Sequence, residues 1–138
     1  MLTGSTTVLL LDDNPLDLES WSKGLKDCSS NYVIVQSDGV TPAIELCRRQ
    51  KFDCVVLDLD LPNSSGFEVL FALAPDRRRP ETPMIVLTRL VSPVLHRMVL
   101  EHGAHACLVK QRTTAQHLHE AVQGAMRSAS RKEIERTD

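Results

Sequence analysis

Three aspartates, one threonine and one lysine have the residue types of a single polar site, although they are far apart in the sequence. Each directly follows a short apolar run: Asp12 and Asp13 follow residues 8–11, Asp58 follows 54–57, Thr88 follows 84–87 and Lys110 follows 106–109. Carboxylates that lie close together in a half-buried site repel one another, so they are tolerated only if one is protonated or a cation lies among them. A divalent cation among the three aspartates is the simplest solution.

The donor atoms decide which cation would fit. They are all oxygen atoms, with no histidine or cysteine nearby, and this favours Mg²⁺ or Mn²⁺ over zinc. A carboxylate beside such a metal, with the Lys110 ammonium and the Thr88 hydroxyl opposite, could carry a phosphoryl group. The residue types therefore predict a metal-assisted phosphoryl acceptor.

Five apolar runs, rich in Val, Leu and Ile, predict the strands that position these residues. They comprise residues 8–11, 32–35, 54–57, 84–87 and 106–109, and their starts are 22 to 30 residues apart. Such runs are typical of strands buried on both faces of a parallel sheet, and the spacing leaves room for one crossover helix each. We therefore expect an α/β fold, a (βα)5 doubly wound five-stranded parallel sheet whose ligands bind at the carboxyl ends of the strands.

Helix start signals follow each predicted strand. Asn14-Pro15, Thr41-Pro42 and Ser92-Pro93 each predict a capping residue followed by proline at the first helical position. Further caps are expected at Ser64 or Ser65 and at Thr113 or Thr114. Gly66 is expected to serve a close approach or a tight turn, residues 75–80 are expected to form a loop, and the fifth helix is expected to extend to residues 131–134.

Composition and charge exclude several classes of function. The chain has 138 residues with a formal net charge of −2, so no basic field favours nucleic acid or an anionic membrane as a direct ligand. Its apolar runs are far shorter than the roughly 20 residues needed to cross a bilayer, and residues 1–7 lack the features of a secretory signal. We therefore expect a cytoplasmic protein.

Cysteines and histidines are not expected to bind a metal. Cys28, Cys47, Cys54 and Cys107 contain no CxxC pair, which favours reduced thiols without a catalytic or disulfide role. His117 and His119 lie two positions apart, so on a helix they point to different faces, and all five histidines are expected at the surface.

The site residues lie in four motifs that resemble those of the receiver domain of two-component response regulators. Residues 9–17 (LLLDDNPLD) are similar to the acidic-pair motif of that family, and residues 55–66 (VVLDLDLPNSSG), with Pro62 and Gly66, to its phosphoacceptor motif. Residues 85–89 (IVLTR) and 103–110 (GAHACLVK) are similar to its hydroxyl and lysine motifs. The resemblance covers about residues 5–127 and implies a flavodoxin-like strand order, 2-1-3-4-5.

The resemblance implies a role for each residue at the metal. Asp13 would bind Mg²⁺ directly and Asp12 mainly through water, with Mn²⁺ as a possible substitute. Asp58 and the backbone carbonyl of Asp60 would complete the protein ligands. The side chain of Asp60 is not required for that role.

The resemblance also implies a phosphorylation-activated switch. Asp58 would accept a phosphoryl group from a histidine kinase or histidine phosphotransfer protein, Thr88 would hydrogen-bond a phosphoryl oxygen and Lys110 would pair with the phosphate. The protein would catalyse only its own phosphorylation and dephosphorylation, so it would not be a turnover enzyme. The face formed by helix 4, strand 5 and helix 5, with residues such as His96 and Arg97, would bind a downstream protein or a fused output domain, or form a homodimer.

Three residues depart from the family pattern. Arg89 replaces the usual small residue after Thr88, and it could restrict the phosphodonor or pair with Asp60 or the phosphate. Cys107 replaces an aromatic residue that couples to the threonine in the family. Gln111 replaces the usual proline after Lys110, and a cis bond before a non-proline residue costs ~2.5–4 kcal/mol, so a trans peptide is expected.

Two alternative functions remain open at this point. The first is a phosphorylation-independent receiver-like interaction module, which Arg89 and Cys107 favour. The second is a haloacid-dehalogenase-like phosphatase, because Asp58 and Asp60 also form a DxD pair, although the acidic pair here precedes it. We expect a receiver domain at residues 5–127 and a polar tail or connector, the end of helix 5, at 128–138. The eleven residues after Arg127 are too few for an output domain.

Overall fold

The computed structural model describes residues 4–61, 64–73 and 82–137. One parallel sheet contains five strands, which are β1 (Thr6–Leu11), β2 (Tyr32–Ser37), β3 (Cys54–Asp58), β4 (Met84–Thr88) and β5 (Ala106–Val109). Their order across the sheet is β2-β1-β3-β4-β5. The predicted doubly wound fold and its 2-1-3-4-5 order are therefore confirmed.

Five α-helices of the described residues pack on the two faces of this sheet. They are α1 (Pro15–Cys28), α2 (Val40–Arg49), α3 (Phe67–Leu73), α4 (Pro93–Glu101) and α5 (Ala115–Thr137). Alternate strand residues point to opposite faces, so the sheet contributes to two apolar cores. Helices α1 and α5 cover one core, and α2, α3 and α4 cover the other.

The carboxyl ends of the central strands lie side by side. Leu11 of β1 is in register with Leu57 of β3, and Asp58 of β3 is in register with Leu87 of β4. The polar residues that follow these strands therefore emerge at one edge of the sheet. The three central strands, β1, β3 and β4, are buried along most of their length, whereas the edge strands β2 and β5 are partly exposed. The prediction of strands buried on both faces is therefore confirmed only for the central three.

Three predicted helix caps are confirmed by side-chain hydrogen bonds. The Asn14 side chain accepts from backbone amides two and three residues ahead, at 2.9 and 3.3 Å, and Pro15 begins α1. The hydroxyls of Ser92 and Thr114 each accept from the amide three residues ahead, at 3.2 and 3.1 Å. These bonds satisfy amides that have no acceptor within the helix.

Two predicted helix starts are wrong. Helix α2 begins at Val40, so Pro42 is its third residue and Thr41 is not the cap. Proline is tolerated there because amides of the first turn have no acceptor in the helix. Helix α3 begins at Phe67, and Ser64–Ser65 forms a two-residue strand paired antiparallel with Asp60–Leu61.

Helix α5 continues through the polar end of the chain to Thr137, as far as and beyond the predicted extension at 131–134. The expected loop at residues 75–80 and Pro62 lie outside the described residues. Within the described part of the chain, no helix is long and apolar enough to cross a membrane.

Candidate functional site

Lys110 links the ends of β1, β3 and β5. It begins a short 3-10 turn directly after β5, and only 6% of its side chain is exposed. Its ammonium donates to a carboxylate oxygen of Asp12 at 2.6 Å and to one of Asp58 at 2.9 Å. A carboxylate oxygen of Asp17, in the first turn of α1, also lies 2.8 Å from this ammonium. One buried cation is therefore shared by three carboxylates.

The aspartates also form an oxygen cluster of the kind that could hold a metal ion. One carboxylate oxygen from each of Asp12, Asp13 and Asp58 lies within 4.8 Å of the other two. Asp12 and Asp58 are buried, whereas Asp13 is exposed to solvent. Mg²⁺ characteristically takes a few protein oxygens and keeps several waters, so one solvent-facing carboxylate and two buried ones suit it. The donor chemistry of these residues fits the predicted Mg²⁺.

Backbone amides orient the two buried carboxylates. The amide of Asn14 donates to Oδ1 of Asp12 at 3.0 Å, and the amide of Asp60 donates to Oδ1 of Asp58 at 2.9 Å. In both residues the other oxygen, Oδ2, contacts Lys110. Each carboxylate is thus held by a backbone donor on one oxygen and by the ammonium on the other.

Burial and hydrogen bonds oppose each other in their effects on the pKa values of Asp58 and Lys110. Burial raises the pKa of Asp58 above its ordinary value, and the nearby Asp12 charge adds to the rise, although hydrogen bonds from the Asp60 amide and Lys110 oppose it. Burial disfavours the charged form of Lys110, but hydrogen bonds to Asp12, Asp17 and Asp58 outweigh burial and raise its pKa. The three carboxylates thus favour the charged form of Lys110, whereas burial disfavours the charged form of Asp58.

Thr88 ends β4 and is completely buried. Its hydroxyl accepts a hydrogen bond from the Leu90 amide at 3.1 Å. Arg89, between them, extends to Asp17, where its guanidinium lies 3.2 Å from Oδ2. The Gln111 side chain donates to the Arg89 carbonyl at 3.1 Å. The segment after β4 is thus connected to α1 and to the turn that contains Lys110.

Gly66 confirms the expected close approach. A Cβ atom at this position would overlap the Asp58 carbonyl oxygen and lie 3.0 Å from the Leu59 Cα. Gly66 does not have a positive φ angle, so its function is to leave space rather than to permit a left-handed backbone. The chain after Asp58 can fold back against it only because Gly66 has no side chain.

The structure brings Asp12, Asp13, Asp58 and Lys110 together, and it pairs two further residues. Asp17 was not singled out, although its place in the first helical turn after β1 was the available signal. Arg89 pairs with Asp17 rather than with Asp60, which was one of the alternatives that the sequence left open. The side chain of Asp60 is exposed, and the role of its carbonyl stays a prediction.

Gln111, the cysteines and the histidines show no unusual backbone or covalent feature in the described residues. All peptide bonds in the described residues are trans, including that between Lys110 and Gln111, as predicted. Cys107 is half-buried against the core beneath α2, α3 and α4, where burial raises its pKa to about 11. The four cysteines are free thiols. His117 is exposed, whereas His119 is partly buried and its ring nitrogen lies 2.6 Å from the Tyr32 hydroxyl.

The sequence profile of the response regulator receiver domain matches residues 8–123, which include every residue of the site. The chain belongs to this family. Receiver domains of two-component response regulators are signalling modules rather than classical turnover enzymes. Membership in this family gives no support to the phosphatase alternative.

Curated relatives place the receiver domain in several kinds of protein. The chain is 40% identical over 82 residues to the probable transcriptional regulatory protein TcrX of Mycobacterium tuberculosis, covering 59% of this chain and 33% of TcrX. It is 30% identical over 105 residues to the sensor histidine kinase AruS of Pseudomonas aeruginosa, covering 75% of this chain and 10% of AruS. The chain thus spans a third or less of these two relatives.

Solved receiver structures share the fold. The receiver domain of a putative Luxo repressor protein from Vibrio parahaemolyticus superposes with a TM-score of 0.81 at 25% identity, covering 94% of this chain and 96% of that one. A response regulator from Burkholderia pseudomallei with a phosphorylated aspartic acid, a calcium ion and citrate has a TM-score of 0.76 at 23% identity. The match covers 97% of this chain and 76% of that one.

Proposed function

We propose that this receiver domain is a phosphorylation-activated switch of a two-component or phosphorelay system, with Asp58 as the phosphoacceptor. The observation that carries this proposal is the contact of one buried ammonium, that of Lys110, with Asp58 at 2.9 Å and Asp12 at 2.6 Å. A fixed cation beside the acceptor carboxylate supplies charge that an incoming phosphoryl group requires.

The proposed transfer is an in-line displacement. A carboxylate oxygen of Asp58 attacks the phosphorus of a phosphohistidine on a histidine kinase or histidine phosphotransfer protein. The O–P bond forms as the P–N bond breaks, and the imidazole nitrogen keeps the electron pair. Mg²⁺ held by Asp12, Asp13, Asp58 and the Asp60 carbonyl would add positive charge at the transferring oxygens.

Lys110 has two functions in this proposal. Before transfer, it holds Asp58 in a single orientation through Oδ2. After transfer, its ammonium pairs with the new phosphoryl oxygens, which carry more negative charge than the carboxylate did. The same site would later position a water for hydrolysis, so the protein would catalyse only its own phosphorylation and dephosphorylation.

Thr88 is the proposed link between the site and the output surface. Its hydroxyl accepts from the Leu90 amide, and a hydroxyl also carries one proton that it can donate. Donating that proton to a phosphoryl oxygen would draw Thr88 and the following segment toward Asp58. That movement would bias the surface formed by α4, β5 and α5 between two arrangements.

An exposed apolar stripe on that surface supports a docking role. Five large apolar residues of the segment after β4 and of α4 are exposed, at fractions of 54% for Leu90, 57% for Val91, 71% for Val94, 38% for Met98 and 46% for Leu100. Exposed apolar clusters of this kind mark protein contact sites. We propose that they bind a downstream protein, a fused output domain or a second copy of the chain.

Within this proposal, residues 5–127 form the receiver domain. Residues 128–138 form a tail or connector that continues from α5, which is helical through Thr137. A helical continuation would let a change at the α4, β5 and α5 surface reach a neighbouring domain.

A phosphorylation-independent interaction module is the second candidate. The Arg89–Asp17 ion pair favours it, because Asp17 occupies Arg89 and competes with a phosphoryl group for Lys110. The two candidates differ in one property, which is whether Asp58 becomes phosphorylated.

Intact-protein mass spectrometry after incubation with acetyl phosphate, with and without Mg²⁺, separates the two candidates. Wild type should gain one phosphoryl group only with Mg²⁺, and Asp58→Asn should gain none. Asp27→Asn is the matched control, because it removes an exposed carboxylate of α1 outside the site, and it should be phosphorylated like wild type. A wild type that binds Mg²⁺ but gains no phosphoryl group would favour the interaction module.

A further inference from the structure

Asp17 connects two cations that belong to different parts of the site. The same oxygen, Oδ2, lies 2.8 Å from the Lys110 ammonium and 3.2 Å from the Arg89 guanidinium. Lys110 is buried, whereas 62% of the Arg89 side chain and 27% of the Asp17 side chain are exposed. A carboxylate on α1 therefore connects the centre of the phosphoacceptor site to the solvent-facing segment after β4.

That segment is held in place by three contacts around Arg89. The Arg89 guanidinium binds Asp17, and the Arg89 carbonyl accepts a hydrogen bond from the Gln111 side chain at 3.1 Å. The amide of the next residue, Leu90, donates to the Thr88 hydroxyl at 3.1 Å. Inward movement of Thr88 would have to break or stretch these contacts, because Arg89 is the next residue in the chain. The ion pair thus restrains the segment that the proposed switch must move.

We propose that the Arg89–Asp17 ion pair is a latch that holds the receiver in its unphosphorylated arrangement and is released when a phosphoryl group forms on Asp58. This inference rests on the proposed function and assigns to Asp17 and Arg89 a positioning role in it.

Charge balance at Lys110 explains the release. The single positive charge of Lys110 is shared by Asp12, Asp17 and Asp58. At pH 7 a phosphoryl group carries about 1.5 to 2 negative charges and replaces the single negative charge of Asp58, so Asp17 becomes the surplus carboxylate at Lys110 and is repelled. Displacement of Asp17 from Lys110 breaks the arrangement in which its Oδ2 contacts both Lys110 and Arg89.

The exposure of the pair determines its strength. Ion pairs between exposed side chains are weak, since water and salt screen them. A weak pair suits a latch, because the phosphoryl group must be able to displace it. Its removal should change the equilibrium of the switch by about two- to five-fold rather than by orders of magnitude.

Isothermal titration with beryllofluoride, an analogue of the phosphoryl group, in the presence of Mg²⁺ tests the latch. Arg89→Gln should bind this anion about two- to five-fold more tightly than wild type. The opposite result is expected if Arg89 merely attracts anions, because the loss of a positive charge would then weaken binding. Arg49→Gln, which removes an arginine from the exposed ion pair with Glu45 at 3.4 Å, is the matched control and should bind like wild type.

The variant Asp17→Asn and the double variant complete a double-mutant cycle. Because both substitutions remove the same pair, the effect of Arg89→Gln should largely disappear when Asp17 is already asparagine. Weaker or unchanged binding by Arg89→Gln, or fully additive effects in the double variant, would overturn the latch.

Hydrogen exchange of the Leu90 amide gives a second measurement that needs neither metal nor phosphoryl analogue. This amide donates to Thr88 in the latched arrangement, so it should exchange faster in Arg89→Gln than in wild type and at the wild-type rate in Arg49→Gln. Unchanged exchange in Arg89→Gln would also overturn the latch. A different result would contradict the proposed function instead. In that case the Leu90 amide would exchange faster in Arg89→Gln as predicted, but wild type would not bind beryllofluoride.

Discussion

Gly66 packs directly against the backbone of Asp58, the proposed phosphoacceptor. Any side chain at position 66 would overlap the Asp58 carbonyl oxygen. A Cβ atom at position 66 would also lie 2.9 Å from the Leu57 side chain and 3.0 Å from the Leu59 Cα, so both neighbours of Asp58 would be displaced as well. The position of the acceptor carboxylate therefore depends on the absence of one methyl group eight residues later.

Gly66→Ala should destabilise the fold and slow phosphorylation. Forcing an extra methyl group into a packed site typically costs about 1–3 kcal/mol, and here the obstacle is backbone, which cannot rotate away. Urea denaturation measures the loss of stability, and intact mass after incubation with acetyl phosphate measures the rate of phosphorylation.

Gly124→Ala is the matched control for this substitution. A Cβ at Gly124, in the interior of α5, would meet the nearest atom at 3.6 Å, which is ordinary contact. Alanine is a better helix former than glycine by about 1 kcal/mol, so this variant should be as stable as wild type or more stable. Equal effects of the two substitutions would contradict the account of Gly66.

Gly24→Ala should also destabilise the protein, for a different reason. Gly24 lies where α1 meets the start of α5, and a Cβ there would lie 2.6 Å from the Cβ of Ala115. Helix propensity alone predicts stabilisation by about 1 kcal/mol, so a net loss would show that close helix packing outweighs propensity. Combining Gly24→Ala with Ala115→Gly should recover much of the lost stability in urea denaturation. No recovery in the double variant would contradict this contact as the cause.

The sheet and several helix starts were predictable because their signals are local. Unbroken apolar runs marked the buried central strands, and Asn14 and Ser92, each followed by proline, marked helix starts. Thr41-Pro42 was misleading because proline is accepted at any position of the first turn, so the pair did not determine where α2 begins.

Long-range contacts explain why the sequence did not indicate Asp17 or its pairing with Arg89. Arg89 and Asp17 are 72 residues apart in the chain, and only the folded sheet brings α1 beside the segment after β4. The four motifs, in contrast, all follow strand ends, and parallel strands carry their ends to one edge whatever the loops do. The centre of the site was therefore predictable, and the charged residues around it were not.

Asp58→Asn should stabilise the metal-free protein at neutral pH. Burial raises the pKa of Asp58 in the folded state above the ordinary value of 3.8, so the folded protein binds this proton more tightly than the unfolded chain does. Wild type therefore loses stability relative to Asp58→Asn as the pH rises from 3.8 through the raised pKa, and the difference vanishes below 3.8. Urea denaturation in a chelator across this pH range measures it. If wild type instead became more stable relative to Asp58→Asn as the pH rises, the expected direction of the pKa shift would be contradicted.

Lys110→Met should make stability strongly dependent on Mg²⁺. Removing the ammonium leaves Asp12, Asp17 and Asp58 without their shared cation, and losing one partner of a buried ion pair typically costs about 3–5 kcal/mol. Because Mg²⁺ can replace part of that charge, it should raise the thermal midpoint of Lys110→Met more than that of wild type.

Lys23→Met is the control for the lysine substitution. Lys23 is exposed on α1, so its replacement should change stability by no more than about 0.5 kcal/mol and leave the Mg²⁺ response at the wild-type level. Equal Mg²⁺ responses in Lys110→Met and wild type would argue against a metal among the aspartates.

Locating the phosphoryl group on the chain shows directly whether Asp58 is the phosphoacceptor. The protein would be incubated with phosphoramidate and Mg²⁺ and then reduced with borohydride, which converts an aspartyl phosphate to homoserine, and the peptides would be sequenced by mass spectrometry. Homoserine is expected at position 58 alone, and only when both the donor and Mg²⁺ are present. Homoserine at Asp12, Asp13 or Asp60 instead, or a phosphoryl gain that persists in Asp58→Asn, would contradict this role of Asp58.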